Sequence, residues 1–263
     1  MHVNRFSFSR PMLSDYVITD PFFYVVSVPA VLLMGISKSG FGAGFGSLAV
    51  PLMALSVPVP QAASIMMPML MVMDVLGVAA YRRDCDMKIL KFLLPWGLAG
   101  IGLGFVTFRV LNVHWVSGLV GFFTLLFLAQ RLLFPPRADS VAPPNWMGAI
   151  LTTLAGFTSF IAHAGSAPIN AYMLPMRLNP VKFAATMTVF FFVLNLAKWG
   201  PYAALGLLDW RNTGTAMVLM PLAPLGVWLG VRIARRIDMK LFYRFVYSGM
   251  FLTGIKLLWD GLA

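Results

Sequence analysis

Glutamate is absent from this chain of 263 residues, cysteine occurs once and histidine three times. Without Glu there is no HExxH zinc motif, and neither a CxxC pair nor a GxSxG nucleophile elbow is present, so hydrolytic and dithiol chemistries lack their parts. His2, His114 and His163 are scattered, which leaves metal binding without a ligand cluster. The sequence therefore predicts no enzyme, no metal and no cofactor. Cys85 has no second cysteine to pair with and reads as a free thiol in a loop beside Arg82, Arg83, Asp84 and Asp86. Charge is scarce as well: 11% of residues, against about 25% in soluble domains, which excludes an ordinary water-soluble fold. The first twenty residues hold Arg5, Arg10, Pro11, Asp15 and Asp20 without a continuous apolar run, so insertion by the first span is expected rather than a cleavable signal peptide.

What is abundant is apolar: 59% of the chain, with a mean hydropathy of +0.82. The apolar stretches lack strand-like alternation and most run about 20 residues, enough for a helix to cross roughly 30 Å of hydrocarbon. An all-α polytopic membrane protein follows, because a helix satisfies its own backbone polar groups where water cannot. The net charge of +11 sits at the ends of apolar segments, where it sets topology, and offers no basic face for nucleic acid. The expected partners are the lipid bilayer and a small anionic substrate. Assembly as a homo-oligomer is left open.

Two apolar stretches are too long and are interrupted. Phe22 to Val57 breaks at Gly35-Ile36-Ser37-Lys38-Ser39-Gly40-Phe41-Gly42-Ala43-Gly44-Phe45-Gly46, and Trp146 to Met176 breaks at Gly156-Phe157-Thr158-Ser159 and again through His163-Ala164-Gly165-Ser166-Ala167-Pro168-Ile169-Asn170. After the first come apolar segments at Gln61 to Tyr81, Ile89 to Phe108 and Trp115 to Phe134; after the second, Phe183 to Leu208, Thr213 to Ile233 and Leu241 to Trp259. A polar, proline-rich linker at 135–145 separates them. The chain thus divides into an N-terminal polar segment (1–21), a first repeat (22–134), the linker and a second repeat (146–263). Local matches fall in the same order in both halves: Ala63-Ser64 with Ala185-Thr186, Asp74 with Asn195, and Gly100-xxx-Gly104 with Gly226-xxx-Gly230.

Charge decides the relative orientation of the halves. The basic loop of Arg82, Arg83, Lys88 and Lys91 and that of Arg232, Arg235, Arg236, Lys240 and Arg244 share the cytoplasmic side only if each broken stretch is a helical hairpin. Each half then makes an odd number of passes, which makes the repeats inverted, places the linker on the cytoplasmic side and both termini outside.

Broken helices at matching positions of two halves point to a transporter's binding site. The alternating glycines Gly42, Gly44 and Gly46, leading into Ser47, either free backbone N–H groups for an anion or serve close helix packing. Lys38 lies inside an apolar stretch, where a charge costs about 2.5 to 3.5 kcal/mol; it either attracts the anion or snorkels to the interface. In the second break Thr158, Ser159, His163, Gly165, Ser166 and Asn170 supply donors, with Ser166 and Asn170 four apart on one helical face. His163 either couples protons or is held by a structural hydrogen bond. Asp74 is a relay or the partner of a buried cation, Lys38 or Lys198; Asn195 is its counterpart, and Lys198 contacts substrate or anchors at an interface.

Three segments resemble the sulfite exporter TauE/SafE family, also called toluene sulfonate uptake permeases: Gly35 through Leu52, Gly165-Ser166-Ala167-Pro168, and Leu194 through Gly206 with its Asn-x-x-Lys-x-x-x-Tyr-x-x-x-Gly pattern. The resemblance runs from about Phe22 to Trp259. It implies a bacterial inner-membrane carrier of sulfite, sulfonates or related organic anions. The substrate-binding set is then Lys38, Gly42, Gly44, Gly46, Ser47, His163, Gly165, Ser166, Asn170, Asn195 and Lys198, with Asp74 and His163 available for coupling. A membrane scaffold without transport and a passive anion channel are the competing readings.

Overall fold

A computed structural model describes residues 16–38, 45–133, 143–233 and 239–263, and among the described residues there are helices and no strands. Helix α1, Pro21–Ile36, starts where Asp20 accepts the Phe22 amide (2.9 Å) and Pro21 pre-sets the first turn. A 3-10 turn at Phe45–Leu48 leads into the five-residue α2, Ala49–Met53. Long helices follow: α3, Val59–Tyr81; α4, Met87–Val110; and α5, Val113–Leu133. The second half repeats the order with α6, Asn145–Ala162; the eight-residue α7, Ser166–Met173; α8, Pro180–Ala204; α9, Trp210–Leu219; α10, Leu222–Ile233; and α11, Met239–Leu262.

Length assigns roles. Helices α3, α4, α5 and α8 are long and apolar enough to cross a membrane, and α9 with α10 passes the same test as one span bent by 43°. The uninterrupted segment expected at Thr213 to Ile233 is therefore broken, at Met220-Pro221, where proline offers no amide to continue the ladder. The two interrupted stretches are packed pairs, α1 on α2 and α6 on α7; the second breaks only after Ala162, because α6 runs without interruption through the Gly156-Phe157-Thr158-Ser159 segment that was expected to break it. At about 1.5 Å per residue the returning arms α2 and α7 are far too short to cross, so each stretch is a hairpin of one long and one short arm. The helix that follows Ser47 starts at Ala49 and lasts little more than a single turn, so it supplies little dipole. Gly42 and Gly44, and the linker up to residue 142, lie outside the described residues.

The halves interlock. Helix α3 lies against α8 and α5 against α11, each a helix on its counterpart, while α4 against α6 matches α10 against α1. Hydrogen bonds give the direction of the central pair: Ser64 Oγ donates to the Leu207 carbonyl (2.5 Å), Asn195 Nδ2 to Asp74 (2.5 Å), and the Asp86 amide to Thr186 Oγ1 (3.0 Å). As the number rises along α3 it falls along α8. The central helices are antiparallel. Ser64 and Thr186, aligned in sequence, tie opposite ends of this pair in opposite senses, the serine donating to a carbonyl and the threonine accepting an amide.

Glycine sets the two matching crossings. A Cβ on Gly100 would lie 2.0 Å from the Thr153 carbonyl and one on Gly156 2.0 Å from the Gly97 carbonyl; one on Gly35 would lie 2.7 Å from the Gly226 backbone. Backbones this close exclude even a methyl group. Gly156→Ala should destabilise the fold by about 1–3 kcal/mol as overpacking, read as a lower melting temperature in detergent, whereas Gly102→Ala, with nothing within 4 Å of its Cβ, should leave the melt where it is.

Candidate functional site

The faces that build the site are helical stripes. On α3, Leu70, Met73, Asp74 and Gly77 follow the three-and-four spacing of one face; on α8, Ala184, Met187, Thr188, Phe191 and Asn195 do the same. Between these faces and the hairpin tips is a cavity of about 410 Å³. The first hairpin contributes Ser37, Lys38 and Gly46, and the second Ser159, His163, Ser166 and Asn170. Arg131, in the last turn of α5, and Pro180, the first residue of α8, also line it, so the cavity runs from those helix ends to the hairpin tips.

A chain of charge and hydrogen bonds ties the wall together. Lys38 Nζ forms an ion pair with Asp74 Oδ1, and its ammonium lies 5.8 Å from the Phe191 ring centre. The other oxygen of Asp74 accepts from Asn195 Nδ2 at 2.5 Å. Asn195 Oδ1 in turn accepts from Lys198 Nζ at 2.8 Å, and Lys198 also meets the Ser159 carbonyl (2.7 Å), Ser159 Oγ (2.8 Å) and His163 Nδ1 (3.1 Å). Lys198 is fully buried. Asp74 is the one buried acid among the described residues.

Proton positions follow from what each partner can do. The Ala63 carbonyl only accepts, so His163 Nε2, 2.9 Å away, carries the ring proton and Nδ1 presents its lone pair to Lys198. Asp74 orients the Asn195 amide, so Oδ1 faces Lys198. Three obligate acceptors therefore surround Lys198 Nζ, and only the ammonium, with three N–H groups, satisfies them all. Among the described residues no carboxylate touches this cation. His163 itself adopts φ 52°, a left-handed turn that ends α6 and re-aims the chain into α7. Its ring lies over Tyr202 (centres 6.3 Å apart), whose hydroxyl donates to the Phe160 carbonyl at 2.7 Å.

The sequence expectations map onto this geometry unevenly. Lys38, Gly46, Asp74, His163, Ser166, Asn170 and Asn195 line one cavity. Lys198 stands behind the wall rather than at an interface, and Gly165 packs against Ala155 and Ser159 beneath the second tip. Ser47 lines a separate apolar pocket of about 260 Å³ between α5, α6 and α7. Arg131 and Phe191 were missed as cavity residues. For Phe191 the available signal was its place one turn before Asn195 on a single helical face.

At the mouth-side loop, burial raises the Cys85 thiol above its usual range. Asp86 caps α4 by accepting from the Lys88 and Ile89 amides (3.0 and 3.2 Å), and the Ile89 bond foremost lowers its carboxyl. A lowered carboxyl adds stability that is present above its unfolded value, near pH 4, and is lost as pH falls through the folded one.

Apolar helices long enough to cross a membrane, around a cavity lined by Lys38, Asp74 and Asn195 with Lys198 buried behind it, fit a multi-pass membrane protein. The model of the sulfite exporter TauE/SafE family matches residues 27–257. The chain belongs to this family of membrane transporters, which is not a family of enzymes. Curated proteins and solved structures return no match.

Removing Lys198 should uncover its three acceptors. Lys198→Leu is expected to lower stability by about 1–3 kcal/mol for each acceptor left unpaired, whereas Lys256→Leu, which breaks only an exposed pair with Asp260 four residues on, should cost under about 1 kcal/mol. Thermal unfolding of both variants in one detergent makes the comparison.

Proposed function

We propose that the protein is a secondary transporter whose two hairpins, belonging to inverted repeats, bind one organic anion between them. The observation that carries this reading is the charge balance of the site. Among the described residues two lysines, one with no carboxylate in contact, share one buried acid, Asp74, at the wall of a cavity. A surplus positive charge in a low-dielectric slab is stabilised by an anion.

Inversion of the repeats is supported by the antiparallel α3 and α8 and by the matching pairs α1–α10 and α6–α4. On the charge argument the ends of α5 and α8 are cytoplasmic, which makes this the inward-open state of an alternating-access carrier in the bacterial inner membrane, with both termini outside. Lys38 and Arg131 draw the anion in, and Ser166 and Asn170 at the start of α7 contact its oxygens. A Cβ on Gly46 would lie 2.7 Å from the Met34 sulfur, so glycine here lets the two arms of the first hairpin pack at the cavity wall. The cavity is of the size that holds small organic molecules, and Leu70, Met73, Phe183, Met187 and Phe191 furnish apolar lining. An organic sulfonate, with a compact anionic head and an apolar body, suits it better than sulfite alone.

Saturating benzenesulfonate should raise the melting temperature of the purified protein, since a ligand at 100 times its Kd adds about 2.7 kcal/mol to the folded state. In proteoliposomes, Lys38→Ala should cut saturable uptake at least tenfold, and an unaltered rate and affinity would remove Lys38 from the site. Silence of the melt across sulfite, sulfonates, sulfate and carboxylates favours a scaffold, and flux that never saturates favours a passive channel.

A further inference from the structure

The lysine best placed to meet an anion is already occupied. Lys38 reaches the cavity from the first hairpin with its side chain 21% exposed, and its partner Asp74 sits on the same cavity wall at 2%. A ligand anion that takes Lys38 must take it from Asp74. Asp74 then keeps only Asn195, and behind Asn195 the Lys198 ammonium, while a second negative charge has arrived beside it.

We propose, on the basis of the anion-carrier reading above, that Asp74 is a tethered competitor of the substrate: the anion displaces it from Lys38, and a proton from the cavity neutralises the released carboxylate. Each anion thereby carries one proton, and the empty carrier restores the Lys38–Asp74 pair when both have left. The charge count is conserved through the cycle. With the cavity empty, Lys38 and Asp74 sum to zero; loaded, Lys38 and the anion sum to zero and Asp74 is a neutral acid. No state leaves an uncompensated charge at this pair, which is what a low-dielectric environment demands.

The charged and titratable groups around Asp74 are few. Lys38 comes from the turn after α1, Lys198 from α8 through Asn195, His163 from the end of α6 on the far side of Lys198, and Arg131 from α5 across the cavity. Arg131 stays charged at any relevant pH. His163 uses both ring nitrogens, one on the Ala63 carbonyl and one on Lys198, so a proton there would face the Lys198 ammonium. Asp74 is the group whose partner the anion removes.

Because binding linkage is reciprocal, a proton taken up with the anion means that acid tightens anion binding. Benzenesulfonate is the suitable probe, since its own charge is constant between pH 5 and 8. For the wild-type protein in detergent, calorimetry in buffers of different ionisation heat should register about one proton taken up per anion, and affinity should strengthen as pH falls, by up to about tenfold per unit. Asp74→Asn, a permanently neutral mimic of the loaded state, should bind at least as tightly at pH 8 as the wild type does at pH 6, with no pH dependence. In proteoliposomes it should lose proton-driven accumulation. Binding by the wild type without proton uptake overturns the proposal even if the variant fails to fold, and so does pH dependence that survives in Asp74→Asn, which would move the proton to His163. Absence of benzenesulfonate binding at every pH in both proteins overturns the reading of the cavity as a sulfonate site and this proposal with it.

Discussion

A charge inside a hydrocarbon slab must be met by another group of the same protein, and here one hydrogen bond organises how that is done. Asn195 donates to Asp74 across the contact of the two central helices, α3 and α8. Asp74 then holds Lys38 of the first hairpin, and Asn195 holds Lys198, which in turn gathers Ser159 and His163 of the second. The hairpins converge because both hang on the two ends of this pair. Without it, two lysines and a carboxylate would each face the cost of isolation at depth, and the cavity between the hairpin tips would have no reason to exist.

The rarity of acids makes their placement informative. Asp20, Asp86 and Asp209 accept helix-start amides, where exposed N–H groups need a partner and the helix dipole favours negative charge. Asp260 pairs with Lys256 on an exposed face. Asp74 is different in kind, buried and committed to charge rather than to capping. Asn195 occupies the matching position of the other half, and the swap of acid for amide is what leaves the site with more positive charge than negative.

The same architecture joins the two halves. Each long hairpin arm seats on a helix of the opposite half, α1 on α10 and α6 on α4, with glycine backbones in contact at both crossings. The halves are interlocked rather than stacked, and the backbones at these crossings lie too close to admit a methyl group.

Much was legible from composition and pattern alone. Scarce charge and long apolar runs determine a helical membrane protein because backbone polar groups have no other means of satisfaction in lipid, and the two interrupted stretches, with Lys38, His163, Ser166 and Asn170, announce themselves because polar residues at depth are costly. The bend at Pro221 was not read, since hydropathy averages over a single break, and Arg131 was not read as a cavity residue because its place in the lining depends on where α5 ends. What the tertiary structure alone decided is who meets whom. That Asp74 takes Lys38 directly and Lys198 only through Asn195, and that His163 offers a lone pair rather than a proton, depends on contacts between residues up to 121 positions apart. Those follow from the antiparallel packing of α3 on α8, which no local spacing encodes.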